Sequence, residues 1–352
     1  MPASAGWVGD DDSPIDSFAQ GLAFRVNSQI GMSRSPETSR RHELPGGIYR
    51  LAEVSFMRLD ALDREKTVVL FSVSPLEEHG PHLPVGTDLF HAEFFNEEIA
   101  KRIVQEKPDW TVLIGPSLPF GASAFDQAGT LLVRARTVRN ATLDYGAALA
   151  RHGFRYILVT NGHAGPRHVV AMEEAAGVVS RRYGVRMLSV SGPILWKFLR
   201  GKYIDRLQDL MGRPLNPAER EAVRGDSHAG LWETSLMMRS HPELVDPAFT
   251  SLPPTRFPIL EALRKNYPLR LGNRMGYIGS PGAASSDFGE LARRLLVDVT
   301  WEVVRPVFEI YDDSWQQTSF LYKIPFLRSA FPYLAAGLAL ALAALAIIWL
   351  VR

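Results

Sequence analysis

The sequence contains no cysteine. That absence excludes disulfides, thiolate metal sites and a cysteine nucleophile together, and leaves His, Asp and Glu as the side chains able to hold a metal. A charge imbalance is also missing: the formal net charge is +1 over 352 residues. No bulk field therefore argues for a nucleic-acid partner. The acidic start, Asp10-Asp11-Asp12, lacks the basic-then-apolar order of a signal peptide. Long apolar runs are missing from all but the C-terminal end. What the chain does have is 46% hydrophobic residues, enough for one large α/β domain or two smaller ones.

Against that background one stretch stands out, Glu77-Glu78-His79-Gly80-Pro81-His82-Leu83-Pro84-Val85-Gly86-Thr87-Asp88. It follows the β-rich run Thr67 to Ser74, so it reads as the loop leaving a buried strand. Gathering Glu77, His79, His82, Asp88 and Glu78 into twelve residues raises carboxyl pKa values unless a cation compensates. A divalent metal is the simplest compensation.

The rest of the chain alternates. Ser55 to Leu62 reads as a short helix before the first strand, and Asp88 is placed to cap a helix running to about Gln105. Trp110 to Ile114 is a second strand, followed by a helix from about Val138 to His152. Tyr156 to Thr160 is a third strand ending in Asn161-Gly162-His163. Pro166 opens a helix to about Tyr183, and Met187 to Val190 is a fourth strand. Residues 196–224 read as a polar, irregular insertion or lid. Asp226 to Ser235 opens an apolar helix, Gly276 to Pro281 is a glycine-rich turn, and a long helix follows from about Ser285 to Tyr311. This alternation predicts an α/β fold, a mostly parallel sheet sandwiched by helices. Ligands bind outside the carboxyl ends of such strands, where the loops of His79 and His163 meet.

Glu77 and His79, two apart in an extended segment, point to one side. Asp88 arrives from the end of the same loop, His163 from the next, and Glu233 completes a set of two His, two Glu and one Asp. Oxygen and nitrogen donors without sulfur suit Zn²⁺, Mn²⁺ or Fe²⁺, and a shared Asp can bridge two ions. His228 is left for proton transfer or oxyanion stabilisation. His82 is evenly balanced between a substrate contact and a structural hydrogen bond. Glu78 reads as a supporting or solvated carboxylate, and His91, His152 and His168 as surface or helix-face residues.

At these residues the chain resembles the creatininase (creatinine amidohydrolase) family. The motifs are Glu77 to Pro84 with Thr87-Asp88, Asn161-Gly162-His163, and His228-Ala229-Gly230 with Glu233-Thr234-Ser235, in order over roughly residues 48 to 310. The resemblance implies a creatininase-like αβα domain and a metal-dependent hydrolase of C–N bonds other than ordinary peptide bonds. Cyclic amides, formamides and related peptides are the expected substrates, with a peptidase-like activity included and a homo-oligomer in prospect. It implies Glu77, His79, Asp88 and His163 as metal ligands, Glu233 as a ligand and catalytic carboxylate, His228 as the catalytic histidine, and two divalent ions per chain. Three departures stand against creatinine itself. Gly165 occupies a position where creatininase has a glutamate ligand, Ser227 replaces another glutamate, and Asp126 falls where many members carry a histidine. Arg167 is read as surface charge in preference to a substrate contact. The competing reading of the departures is a catalytically weakened scaffold.

Tyr333 to Val351 carries no charge, and its 19 residues span ~28 Å as a helix, the depth of a bilayer core. The expectation is a tail anchor that holds a single-pass membrane protein with its catalytic domain on the cytoplasmic side, as Lys323 and Arg328 suggest. The expected plan is a poorly ordered segment at 1–46, a hydrolase domain at 47–315, a linker at 316–332 and a transmembrane helix at 333–351.

Overall fold

The computed structural model describes residues 44–256, 275–310 and 312–329, with Phe331, Gly337 and Leu342 beyond them. The N-terminal segment expected at 1–46 falls almost wholly outside the described residues.

Five strands form one parallel sheet: β1 (Gly47–Arg50), β2 (Thr67–Ser72), β3 (Thr111–Ile114), β4 (Tyr156–Thr160) and β5 (Arg186–Ser189). Their order is β1-β3-β2-β4-β5, every pair parallel. The helices in chain order are α1 (Phe56–Asp60), α2 (Thr87–Glu106), α3 (Ala135–Arg151), α4 (Pro166–Tyr183) and α5 (Gly192–Leu199). Then come α6 (Ile204–Met211), α7 (Pro217–Arg224), α8 (Leu231–Ser240) and α9 (Ser286–Glu309).

β2 is buried along its length, as a central strand covered on both faces must be. Its side chains alternate between two cores. Val68 and Leu70 join Ile99 and Ile103 of α2, Leu236 of α8 and Leu295 and Val299 of α9. Val69 and Phe71 join Val138 and Leu149 of α3 and Met172 and Val179 of α4. The result is the αβα sandwich expected from the alternation.

The sheet order fixes where the site must lie. β2 connects to β3 through α2 on the first face, while β4 connects to β5 through α4 on the second. β2 and β4 are neighbours, with Leu70 paired to Leu158. Their connections leave in opposite directions, so a crevice opens between their carboxyl ends. The loops carrying His79 and His163 both rise there.

Three expectations need correcting. Residues 196–224 are not irregular: they contain α6 and α7, and α5 overlaps their start. Helices of eight residues bury only Ile204 and Leu207, or Ala222 and Val223, too few turns for a period to show. β1 was not foreseen, being a half-buried edge strand of four residues. Finally, no helix among the described residues is long and apolar enough to cross a membrane. That overturns the single-pass membrane location, and with it the cytoplasmic placement of the catalytic domain. The anchor had rested on the apolar composition of 333–351, most of which lies outside the described residues. Composition says that a run is compatible with hydrocarbon, not that a spanning helix forms.

Residues 312–329 lie against α4. Ser319 Oγ donates to Glu173 at 2.8 Å and Arg328 Nε to Glu174 at 2.7 Å, while Trp315 and Leu321 are buried.

Candidate metal centre

Beyond β2 the chain folds back on itself. Glu77 N–H donates to the Val85 carbonyl at 2.9 Å, and Thr87 Oγ1 to the Pro84 carbonyl at 2.7 Å. That closure returns Glu77 and His79 to Asp88, which sits in the first turn of α2, where the helix dipole favours a carboxylate. After β4, His163 N–H donates to Asn161 Oδ1 at 2.9 Å, and the turn aims the imidazole across the crevice.

Two groups that share Asp88 result, beside a third made by Glu77, His79 and His228. In the first, His163 Nδ1 lies 2.9 Å from Glu77 Oε2 and 3.2 Å from Asp88 Oδ2. In the second, His79 Nε2 lies 3.3 Å from Asp88 Oδ1 and 3.5 Å from Glu233 Oε2. Each is a set of side chains whose donor atoms are close enough to meet one ion. All five residues expected as ligands are therefore brought together: Glu77, His79 and His163 from the sheet loops, Asp88 from the start of α2 and Glu233 from α8.

The tautomers decide what the groups are for. His79 Nδ1 faces the Glu77 carbonyl at 3.0 Å, and His163 Nε2 faces the Ala122 carbonyl at 3.2 Å. A carbonyl only accepts, so each of those nitrogens carries the proton. In the neutral rings the remaining nitrogens then turn lone pairs toward carboxylates, which is repulsive unless a cation lies between them. The buried atoms Glu77 Oε2, Asp88 Oδ2 and His79 Nε2 have no hydrogen-bond partner, although such groups are normally paired. Protons can substitute for a metal. Burial lowers the pKa of His79, but the Asp88, Glu233 and Glu77 carboxylates outweigh it and lift the value to about 10. His163 is likewise raised against burial, chiefly by Glu77. Burial works to raise Asp88, yet the flanking imidazoles hold it well below the usual carboxylate range. Donors of this kind, all nitrogen and oxygen, fit a divalent cation.

At Gly165 the surroundings are closed to a side chain. A Cβ at that position would run into His163 Nε2 and the Ala122 and Ser123 carbonyls, so no side chain fits there. Glu233 reaches the site by way of a strained turn. Ala229 is fully buried with φ of 48°, a left-handed conformation disfavoured for a residue with a Cβ. The turn lets His228 and Glu233, five apart, face one site, and Ala229 N–H donates to Glu233 Oε2. Asp226 stabilises the same corner by accepting from the N–H groups of Leu231 at 2.6 Å and Trp232 at 3.0 Å. It was missed in the sequence because it reaches the start of α8 across the Ala-Gly turn.

His228 lies beside the ligands, its ring centroid 4.3 Å from that of His79 and 4.7 Å from that of Phe125. Its Nε2 donates to the Glu78 carbonyl at 2.8 Å. The Glu78 side chain is buried and accepts from Gly80 N–H at 3.1 Å and Gln127 Nε2 at 3.2 Å. Gly276 packs against it so closely that a Cβ would overlap the carboxylate. His82 is buried and bonded to Thr234 Oγ1 at 2.8 Å. Asp126 and Arg167 are exposed. Near Asp126 it is instead the Phe125 backbone N–H that reaches Glu77 Oε1. His91 and His168, expected on the surface or a helix face, are buried. His168 bridges two site loops through the Val73 carbonyl and Ala122 N–H.

The profile of the creatinine amidohydrolase (creatininase) family matches residues 52–304. The chain belongs to the creatininase family. It is 26% identical over 250 residues to a creatinine amidohydrolase of Pseudomonas putida, covering 68% of this chain and 90% of that one. It is 30% identical over 183 residues to a mycofactocin precursor peptide peptidase of Mycobacterium ulcerans, covering 50% of this chain and 60% of the relative. A manganese form of creatininase shares 24% identity and a TM-score of 0.55, covering 74% of this chain and 98% of that one. That likeness establishes the fold alone. A mutant creatininase of Zn-Zn type gives a TM-score of 0.54.

Proposed function

We propose that this chain is a divalent-metal amidohydrolase that cleaves a C–N bond in a small amide or a peptide-like substrate. The observation carrying the reading is the pair of buried imidazole nitrogens, His79 Nε2 and His163 Nδ1, turned onto carboxylates in a site whose Glu77 and Asp88 oxygens lack hydrogen-bond partners. In this reading Glu77, Asp88 and His163 hold one cation, His79, Asp88 and Glu233 hold a second, and Asp88 is common to both. Zinc is the first choice, with manganese and iron suited to the same donors. Bound cations supply Lewis acidity toward the carbonyl and toward water at neutral pH.

The other roles fall to the chain's own groups. His228 Nε2 is committed to the Glu78 carbonyl, so its Nδ1 is the proton acceptor and later returns the proton to the leaving nitrogen. Glu78 holds the main-chain position that orients this ring. Burial of Glu77, His79 and Asp88 keeps competing water from the ligands and strengthens each charge interaction. Relatives named for creatinine and for a precursor peptide set the span of substrates considered. The departure at Gly165 gives no support to a weakened scaffold, because Glu233 lies where a fifth donor is needed.

The test is metal content of the purified full chain, with Glu77→Ala and His163→Ala beside it. The expected result is about two ions per chain in a bridged two-metal site, reduced in both variants, with hydrolysis found among cyclic amides, formamides and short peptides. Absence of bound metal after zinc or manganese loading, or metal content indifferent to Glu77→Ala, would overturn it.

A further inference from the structure

Beside the metal centre lies a cavity of about 110 Å³ on the first face of the sheet, between α2, α5, α8 and α9. Its walls are mainly apolar, including Phe95, Ile99, Phe198, Trp232 and Leu236, and Glu233 is part of its lining. Glu233 is also the ligand candidate with the most solvent access: its side chain is 20% exposed, against 0% for His79 and 2% for Asp88. The metal centre therefore opens on the side where the cavity begins. His91 lines the cavity too. It is buried, and its Nε2 has no hydrogen-bond partner. That nitrogen is an unpaired polar atom on a residue of the cavity wall. Such an atom calls for a hydrogen-bond partner.

We propose that this cavity is a substrate subsite that takes the apolar side chain of an amino-acid or peptide substrate, with His91 Nε2 pairing with a polar group beside that side chain. The proposal rests on the hydrolase reading and narrows it toward peptide-like substrates. An apolar cavity of about 150 Å³ holds a benzene ring, so this one suits a branched aliphatic side chain of valine or leucine size. A creatinine-sized polar ring leaves it unfilled. Burial of one such side chain corresponds to about 10- to 100-fold in affinity.

The test compares leucine hydroxamate with glycine hydroxamate, titrated calorimetrically into the metal-loaded full chain. The hydroxamate group reports the metal centre, and the ratio of the two affinities reports the cavity. Leu296 and Leu195 line the cavity and are only partly buried. Leu296→Trp and Leu195→Trp therefore fill it without replacing a fully buried core residue, and neither is a ligand candidate. The expected result is at least about tenfold preference for leucine, lost in both variants while glycine hydroxamate binding and metal content stay unchanged. Equal binding of the two probes to the wild type overturns the subsite and leaves the hydrolase reading standing. If glycine hydroxamate does not bind at all, the hydrolase reading fails instead. The cavity is then judged by N-acetyl-leucinamide against N-acetylglycinamide in ligand-observed NMR on the metal-free chain, where equal binding again overturns it.

Discussion

The two halves of the metal centre are built differently. The half made by Glu77, Asp88 and His163 comes from the loops leaving the neighbouring strands β2 and β4 and from the first turn of α2, into which the β2 loop runs. The half made by His79, Asp88 and Glu233 needs α8, which lies outside the β2–β4 crevice and reaches it through the left-handed Ala229 turn. The first half inherits the rigidity of the β2–β4 ladder, pinned by Ser72, Thr160 and Asn96 side chains bonded at 2.6 to 2.9 Å. The second half depends on a corner held by Asp226 and is the half that opens toward solvent. A strong structural half and an accessible half suit a site that must hold metal and still admit substrate.

The comparison is broken most severely at the shared residue. Asp88→Asn removes the charge on which both groups depend, so both ions should be lost and hydrolysis should fall by at least about 10³-fold. Glu233→Gln separates the halves: it should leave the Glu77 group loaded, at about one ion per chain, with activity down about 10²- to 10³-fold. Metal analysis and turnover on the same preparations decide it. Equal metal loss in the two variants would mean that the halves are not independent. His228→Asn is the next smaller effect. Metal content should be unchanged while kcat drops about 10²- to 10⁴-fold, the range for a lost acid–base group. A metal-depleted His228→Asn would make that residue a ligand instead.

How much of this was legible in the sequence follows the same division. The strand-end half was readable because Glu77 and His163 lie within a few residues of a buried β run and Asp88 closes the loop that follows one, so a one-dimensional pattern carries the three-dimensional placement. Glu233 was readable only as a carboxylate on an apolar helix; its arrival at His79 depends on Ala229, and an alanine gives no sign of a left-handed turn. His91 and His168 were read as surface or helix-face residues because isolated histidines on helices carry no burial signal, whereas the folded chain buries both, one beside the cavity and the other as a cross-loop bond. The C-terminal run misled for the opposite reason: a clear compositional signal was taken as a structural one.

The smallest effect expected is on stability, and it separates metal-free from metal-loaded protein. Without metal, protons on His79 and His163 neutralise the carboxylates. His79 moves from an ordinary 6.5 to about 10, so the stability it contributes is fully present below about pH 6.5 and drains away as pH rises through about 10. A bound cation replaces those protons, so metal affinity rises with pH over the same window as fewer protons must be displaced. Thermal unfolding at a series of pH values, with and without chelator, should therefore show a gap in Tm that widens from about pH 6.5 to about pH 10. The chelated protein should supply much of the change by losing stability as pH rises. A gap that stays constant would mean that no proton is exchanged for metal, and that the lone pairs of His79 and His163 do not face the cation.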